Sequence, residues 1–410
     1  MSQWMEALEP REHLAVSPDV SSDAGRLVFT AVRGEASRPQ WVTLTNRGRR
    51  ALSVGGASLA GADAGEFGFR RRGLPDSIAA GESVSVRAWF APGGAGVRSA
   101  RLEVRTDDPE TPVLAVELRG LGTEGRFEGA EPSLQRVLDA LQVPVDVGDA
   151  DPGTGVLDGP RGGEERSMPL LRKAGPGPVR VTVMAAFTWE QSPVARVGWY
   201  RLRGGRAQRP LLTVPAGNGQ ALLPRAEGVR EFDPRSVVFG LYAHWPSEAH
   251  GGAYSEDSMN GWGGAPAGGH AVRFYPFRNA GGRLIPATYV VAMEQAANHD
   301  FQDLVLVVEN VMPHDAVLPP RDLRAVAAAP GAVALSWADA SDNEGGFVIE
   351  RSRRKNGTFE VIGTAGEGAT GYTDATGAAG RRYYYKVRAV SGAQTSEASN
   401  RAVAVFPGGV

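Results

Sequence analysis

Asn298, Asp300 and Asp303 crowd into one short turn, with Glu294 a few residues upstream. Carboxylate and amide oxygens are hard donors, and calcium gathers six to eight of them, so these four residues form a candidate calcium site. A structural reading competes: Asp300 and Asp303 can instead cap backbone amides at a tight turn. A second, weaker group is Asp146, Asp149 and Asp151, at i, i+3 and i+5 in a glycine-rich run. Its spacing misses the EF-hand pattern, and solvated Asp-Gly turns account for it equally. The stretch from Pro246 to Gly269 carries Tyr254, Asp257, Asn260 and Trp262, with Trp245 immediately before it. Aromatic rings beside carboxylates and amides are the mix that recognises sugars, and Trp245 would be a platform for them. The same residues also fit a glycine-rich cap held over a sandwich by Trp262.

Catalytic constellations are missing. The chain has no G-x-S-x-G elbow, no H-E-x-x-H and no phosphate loop, and its six histidines show no i, i+4 pairing. His244 and His270 lie in or at the start of apolar strands and read as structural. With no cysteine, disulfides, thiolate metal sites and a Cys nucleophile are all excluded. A pair for glycosidic cleavage can be drawn from Glu256, Asp257, Glu294 and Asp303, but the separation that would decide it is not in the sequence. The expectation is a non-catalytic protein.

The element that must position the acidic turn follows it directly. Leu304 to Val308 is an unbroken apolar run, which reads as a strand covered on both faces at the centre of a sheet. At about 150 residues per domain, 410 residues suggest two to four domains. The apolar fraction of 42 %, with 54 glycines and 28 prolines, suits many short strands joined by turns rather than long helices. A formal net charge of −2 implies no nucleic-acid-binding face. No run of about 18 apolar residues is present, so no membrane-spanning helix is expected.

Residues 14–122 alternate with period two. Val84, Val86, Ala88 and Phe90, then Ala100, Leu102 and Val104, then Leu114, Val116 and Leu118 mark half-buried antiparallel strands. Leu134, Val137, Leu138 and Leu141 recur at helical spacing, with Pro132 suited to the first turn and the helix expected to pack on the next sheet. Seven strands follow: 179–187, 194–202, 209–215, 236–245, 270–278, 287–295 and 302–311. A last set alternates through Val333, Leu335 and Trp337, Phe347 and Ile349, and Tyr383, Tyr385 and Val387.

Three resemblances accompany this pattern. Thr43-Leu44-Thr45-Asn46-Arg47-Gly48, Gly61 to Phe67, Ala88 to Pro92 and Leu118-Arg119-Gly120 resemble the Ig-like modules of the ASH/HYDIN type, which implies a spacer or docking role. Ala186-Phe187, Phe239 to Tyr242, Ser255 to Asn260 and Asp300 to Leu304 resemble a DUF4114-like β-sandwich of secreted bacterial proteins. Many members of that family carry a further Asp or Asn where His299 stands. Leu335-Ser336-Trp337, Phe347 to Arg351 and Tyr383 to Ala389 resemble a fibronectin type III module, which implies a core Trp337 and a tyrosine corner at Tyr383.

The sequence therefore predicts an all-β protein of tandem β-sandwiches with one short helix: Ig-like over 14–122, helix plus jelly-roll-like over 126–313, and fibronectin type III over 319–407. The expected role is that of an extracellular or cell-surface bacterial protein. Its centre would bind carbohydrate or another envelope component, including a surface protein, with calcium as its possible cofactor. The alternatives are an adhesin or assembly subunit acting by protein–protein contact, and the accessory part of a polysaccharide-degrading enzyme. The opening MSQWMEALEPREH lacks a leader pattern, so export would imply that a leader has been removed.

Overall fold

Residues with period-two alternation have one apolar and one polar face, and the strands pair so that the apolar faces meet. The computed structural model describes residues 17–70, 73–126, 130–148, 163–188, 194–202, 207–235, 237–246, 252–261, 269–295, 298–314, 317–328, 331–341, 344–392 and 394–407. Among them, six sheets and one α-helix build tandem β-sandwiches.

The N-terminal sandwich faces a four-stranded sheet (Val20–Ser22, Gln40–Asn46, Ser83–Phe90, Phe67–Phe69) against a five-stranded one (Arg26–Val32, Val113–Thr123, Gly96–Thr106, Leu52–Ala60, Ser77–Ile78). Leu44, Phe90, Leu102 and Leu118 fill the space between them. Alternation does not reveal one feature: Arg26–Val32 runs parallel to Val113–Thr123. Asn46 is fully buried and works as a local staple. Its side chain accepts from the amides of Asp19 and Gly48 and donates to the carbonyls of Arg50 and Ile78.

The central sandwich has two antiparallel sheets. One orders Gln220–Leu222, Val179–Phe187, Leu304–Glu309, Leu284–Met293 and Val272–Arg278; the other contains Gln208–Val214, Ala195–Arg201, Phe239–His244 and Leu171–Lys173. Leu304–Glu309 lies in the middle of its sheet, with Val308 opposite Val181 on one side and Leu306 opposite Val291 on the other. Both faces of that strand are covered, which is why its apolar run has no polar interruption. Leu304, Leu306 and Val308 point into the sandwich interior with Trp245, Val181 and Met293. Val305 points the other way, into a second core shared with the helix Leu134–Ala140 and with Val28 and Leu121 of the N-terminal sandwich. The helix begins at Leu134, two residues later than Pro132 suggested. Ser133 is its N-cap and accepts from the Arg136 amide.

The opposite outer face of the central sandwich is covered as well. Leu170, Tyr200 and Tyr242 pack with Leu318 and Ala340 at the start of the C-terminal module. That module has a three-stranded sheet (Arg321–Ala327, Val333–Ala338, Gly371–Asp374) against one containing Glu360–Gly366, Gly346–Ser352, Arg382–Ser391 and Ala402–Val405. Trp337 sits between them, 5.5 Å from Phe347 centroid to centroid, and the Tyr383 hydroxyl accepts from the Ala378 amide in a tyrosine corner. The module is a fibronectin type III-like β-sandwich.

Candidate metal centre

The strand Leu284–Met293 runs out into Glu294 and the chain returns through residues 298–303 into Leu304–Glu309. The return is tight. His299 and Phe301 both adopt left-handed backbone conformations, with φ of 58° and 57°. For a residue as bulky as Phe301 this is sterically costly, and such strain persists only where surrounding contacts hold it. Here the Phe301 amide donates to Glu294 Oε2 at 3.1 Å, and its buried ring lies 3.9 Å beneath the Arg273 guanidinium. The Asp303 carboxylate accepts from the Gln295 amide at 2.6 Å.

These constraints turn three buried carboxylates, Glu294, Asp300 and Asp303, toward one point. One oxygen from each lies within 4.8 Å of the others. Asn298 and Gln302 both donate to Asp300 Oδ2, at 2.7 and 2.8 Å. Gln302 also reaches Glu131 Oε2, and Gln220 holds the other Glu131 oxygen at 2.7 Å. Glu131 belongs to the connection between the N-terminal sandwich and the helix, so the cluster joins the end of the central sheet to that connection. Burial, followed by the charges of Glu294 and Glu131, pushes the Asp300 carboxyl up to about 8. Burial, then Glu294 and Asp300, pushes Asp303 well above the usual carboxylate range. Oδ1 of Asp300, Oε1 of Gln302 and Oδ1 of Asn298 are buried without a hydrogen-bond partner. Acceptors in this state lower their energy by taking a proton or a hard cation.

Of the four residues the sequence offered as a metal set, Glu294, Asp300 and Asp303 converge, and Asn298 lies beside them as a donor to Asp300. The sequence missed Glu131 and Gln302. Gln302 lies inside the Asp300 to Leu304 motif and could have been read there; Glu131 was legible only as part of a helix start. The amide-capping alternative also holds in part, since Asp303 does cap Gln295. His299 is half-buried and is not one of the three converging acids. In the second acidic group, Asp146 is exposed and closes a local turn by accepting from the Gly148 amide, while Asp149 and Asp151 lie outside the described residues.

The structure corrects the sugar-binding expectation for the 245–269 stretch at Trp245 and Asn260. Trp245 is 1 % exposed and packs inside the sandwich, so it offers no platform. Asn260 is fully buried and ties the loop together, accepting from the Tyr254 amide and donating to the carbonyls of Tyr254 and Gly269. The Tyr254 hydroxyl accepts from Gln208 at 2.8 Å and meets His244 Nε2 at 2.9 Å. Asp257 binds His270 Nδ1 at 3.0 Å, and Glu165 binds the other ring nitrogen at 2.7 Å. Burial disfavours the charged imidazole, but the hydrogen bonds to Asp257 and Glu165 outweigh it and hold His270 at about 10. Glu256 is buried against Arg321 of the C-terminal module. Trp262 lies outside the described residues. The described part of this loop is thus a cap and a docking face for the next module.

The chain matches no family model and no curated protein. Among solved structures it is similar to a fibronectin type III-like protein from Clostridium thermocellum, at 31 % identity over 22 % of this chain and 95 % of that one, with a TM-score of 0.21. Pectate lyase Pel3 from Pectobacterium carotovorum is 25 % identical over 21 % of this chain and 26 % of the enzyme, with a TM-score of 0.19. The twitchin kinase region from C. elegans is 21 % identical over 23 % of this chain and 17 % of that one, with a TM-score of 0.21. Each covers less than a quarter of the chain. The class assigned to the last sandwich rests on its own strands and its tyrosine corner. No helix among the described residues is long and apolar enough to cross a membrane.

Proposed function

We propose that this chain is a non-catalytic modular scaffold of the extracellular or cell-surface kind, in which a calcium ion at Glu294, Asp300 and Asp303 fixes the N-terminal sandwich to the central one. The observation that carries this reading is the convergence of three buried carboxylates beside buried amide and carboxylate oxygens without partners. Glu131 brings the inter-module connection to the same point. An ion there neutralises charge that burial otherwise makes unfavourable, and in doing so it stiffens the joint. The motif resemblances to ASH/HYDIN-type and DUF4114-like modules fit this role as spacer and secreted sandwich. Action by protein–protein contact is favoured over sugar recognition by the central loop, because Trp245 and Asn260 are committed to internal packing.

Thermal melting of the full chain in calcium and in chelator tests the proposal. Binding to the folded state alone raises stability by about 2.7 kcal/mol at a hundredfold excess over Kd. The expected result is a calcium-dependent rise in Tm that Asp303→Asn abolishes. An unchanged Tm at saturating calcium rejects the ion, leaving the carboxyls protonated.

A further inference from the structure

The four-stranded sheet of the N-terminal sandwich turns its inner face to the core, through Val42, Leu44, Val86 and Ala88. Its outer face is unlike an ordinary solvated surface. Trp41 is 56 % exposed, the one aromatic among the strongly exposed large apolar residues described. Register places Trp41 opposite Arg87, and Trp89 opposite Gly68. Adjacent strands lie about 4.8 Å apart and same-face neighbours along a strand about 6.8 Å, so the Trp41 and Trp89 backbone positions lie on a diagonal of about 8 Å, each next to Arg87. Gly68 is required for this arrangement: a Cβ there would meet the Trp89 indole at 2.3 Å. The glycine lets that ring lie against the sheet.

Charge on this face is one-sided beside the indoles. The Arg87 guanidinium lies 6.0 Å from the Trp41 ring centroid, and Arg70 donates its amide to the Arg87 carbonyl on the neighbouring strand. Neither side chain has an acidic partner among the described residues. Beyond them the sheet carries a ladder of hydroxyls, Thr43 with Ser85 at 3.3 Å and Thr45 with Ser83 at 2.8 Å. Asp23 holds the Thr43 amide at the sheet edge on that hydroxyl side.

We propose that this face binds an acidic polysaccharide of the polyuronate class. Indole faces pack against the C–H faces of sugar rings. The planar guanidinium fork matches a carboxylate. The Ser/Thr ladder supplies donors and acceptors for sugar hydroxyls along the chain direction. Arg87 beside the Trp41 ring, without an acidic partner among the described residues, selects a negatively charged chain over a neutral one. The face shares no residue with the carboxylate cluster, so the two proposals stand or fall separately.

Calorimetric titration of the full chain with alginate hexamers, too short to gel, tests it, with cellohexaose as the neutral control. Binding to alginate that weakens tenfold or more in both Trp41→Ala and Arg87→Ala, with Tm unchanged, supports the proposal. Both residues are surface-facing, so neither variant should unfold the protein. No heat with alginate overturns it, as does equal binding of cellohexaose that ignores Arg87→Ala. A dimer in solution that Trp41→Ala dissolves also overturns it, since the face would then serve a second copy of the chain.

Discussion

Two clusters of acids lie in the central sandwich, one partly and one fully buried, and they handle the same electrostatic problem in opposite ways. At one, Glu165 and Asp257 hold His270 between them, and Glu165 also lies 3.8 Å from Arg273. There the counter-charge is covalently part of the chain, and it holds the imidazole protonated up to about 10. At the other, Glu294, Asp300 and Asp303 face one another, and what presses on Asp300 is burial and further negative charge. The first cluster is complete as folded. The second requires something from solution, a proton or an ion. A self-neutralised cluster pins its loop in any medium, whereas an open one, under the proposed function, would make a joint whose stiffness follows the medium.

The largest expected effect tests the completed cluster. His270→Ala leaves Glu165 buried with its main partner gone, and breaking a buried pair in this way costs about 3–5 kcal/mol, measurable by urea unfolding. The pH dependence has a defined sign. Because the folded pKa of His270, about 10, lies above the unfolded value of 6.5, its stabilisation is fully present below pH 6.5 and is lost as pH rises toward 10. Wild-type stability should therefore fall across that window, and His270→Gln should flatten the fall. A flat wild-type profile would mean that the imidazole is not charged in the native protein.

A smaller effect is expected in the loop that this histidine anchors. Asn260→Ala removes three internal hydrogen bonds and strands the buried backbone groups they satisfied, at a cost of about 1–3 kcal/mol. Limited proteolysis should then open the chain near residue 261 well before global unfolding. If cleavage kinetics do not change, the loop is held by its contacts to the C-terminal module, through Glu256 and Arg321, rather than by Asn260.

How legible each region was follows from the range of the interactions that define it. Period-two alternation identifies strands because it is local, and Leu304 to Val308 announced a doubly covered central strand through its lack of polar residues. Alternation does not say what does the covering. The helix and Val28 on the outer face of this sheet, and Leu318 with Ala340 on the outer face of the opposite sheet, come from distant segments. For the same reason Glu256 was read as available, although Arg321 of the next module claims it, and Trp245 was read as exposed, although it turns into the sandwich interior. The acidic turn was legible because its converging residues are close in sequence. Glu131, over 160 positions away from Asp300, was not. Trp41 carried no signal either, because an outward and an inward tryptophan look alike until register sets the face.

The smallest and most discriminating effect falls on the open cluster. Asp300→Asn keeps the shape of the side chain and replaces a carboxyl that burial and neighbouring acids hold protonated at neutral pH with an amide that is neutral without taking up a proton. In chelator it should therefore stabilise the protein, by about 1 kcal/mol or more, because the cost of protonating the buried carboxyl is removed. In calcium the sign should reverse, because the amide offers a weaker ligand and the rise in Tm is lost. At the His270 cluster the corresponding change, Asp257→Asn, should destabilise in both media, since it takes away a partner that the imidazolium already has. A medium-dependent sign at Asp300 with a fixed sign at Asp257 would separate an ion-completed site from a self-completed one. A fixed sign at both would show that the carboxyl cluster is neutralised within the chain.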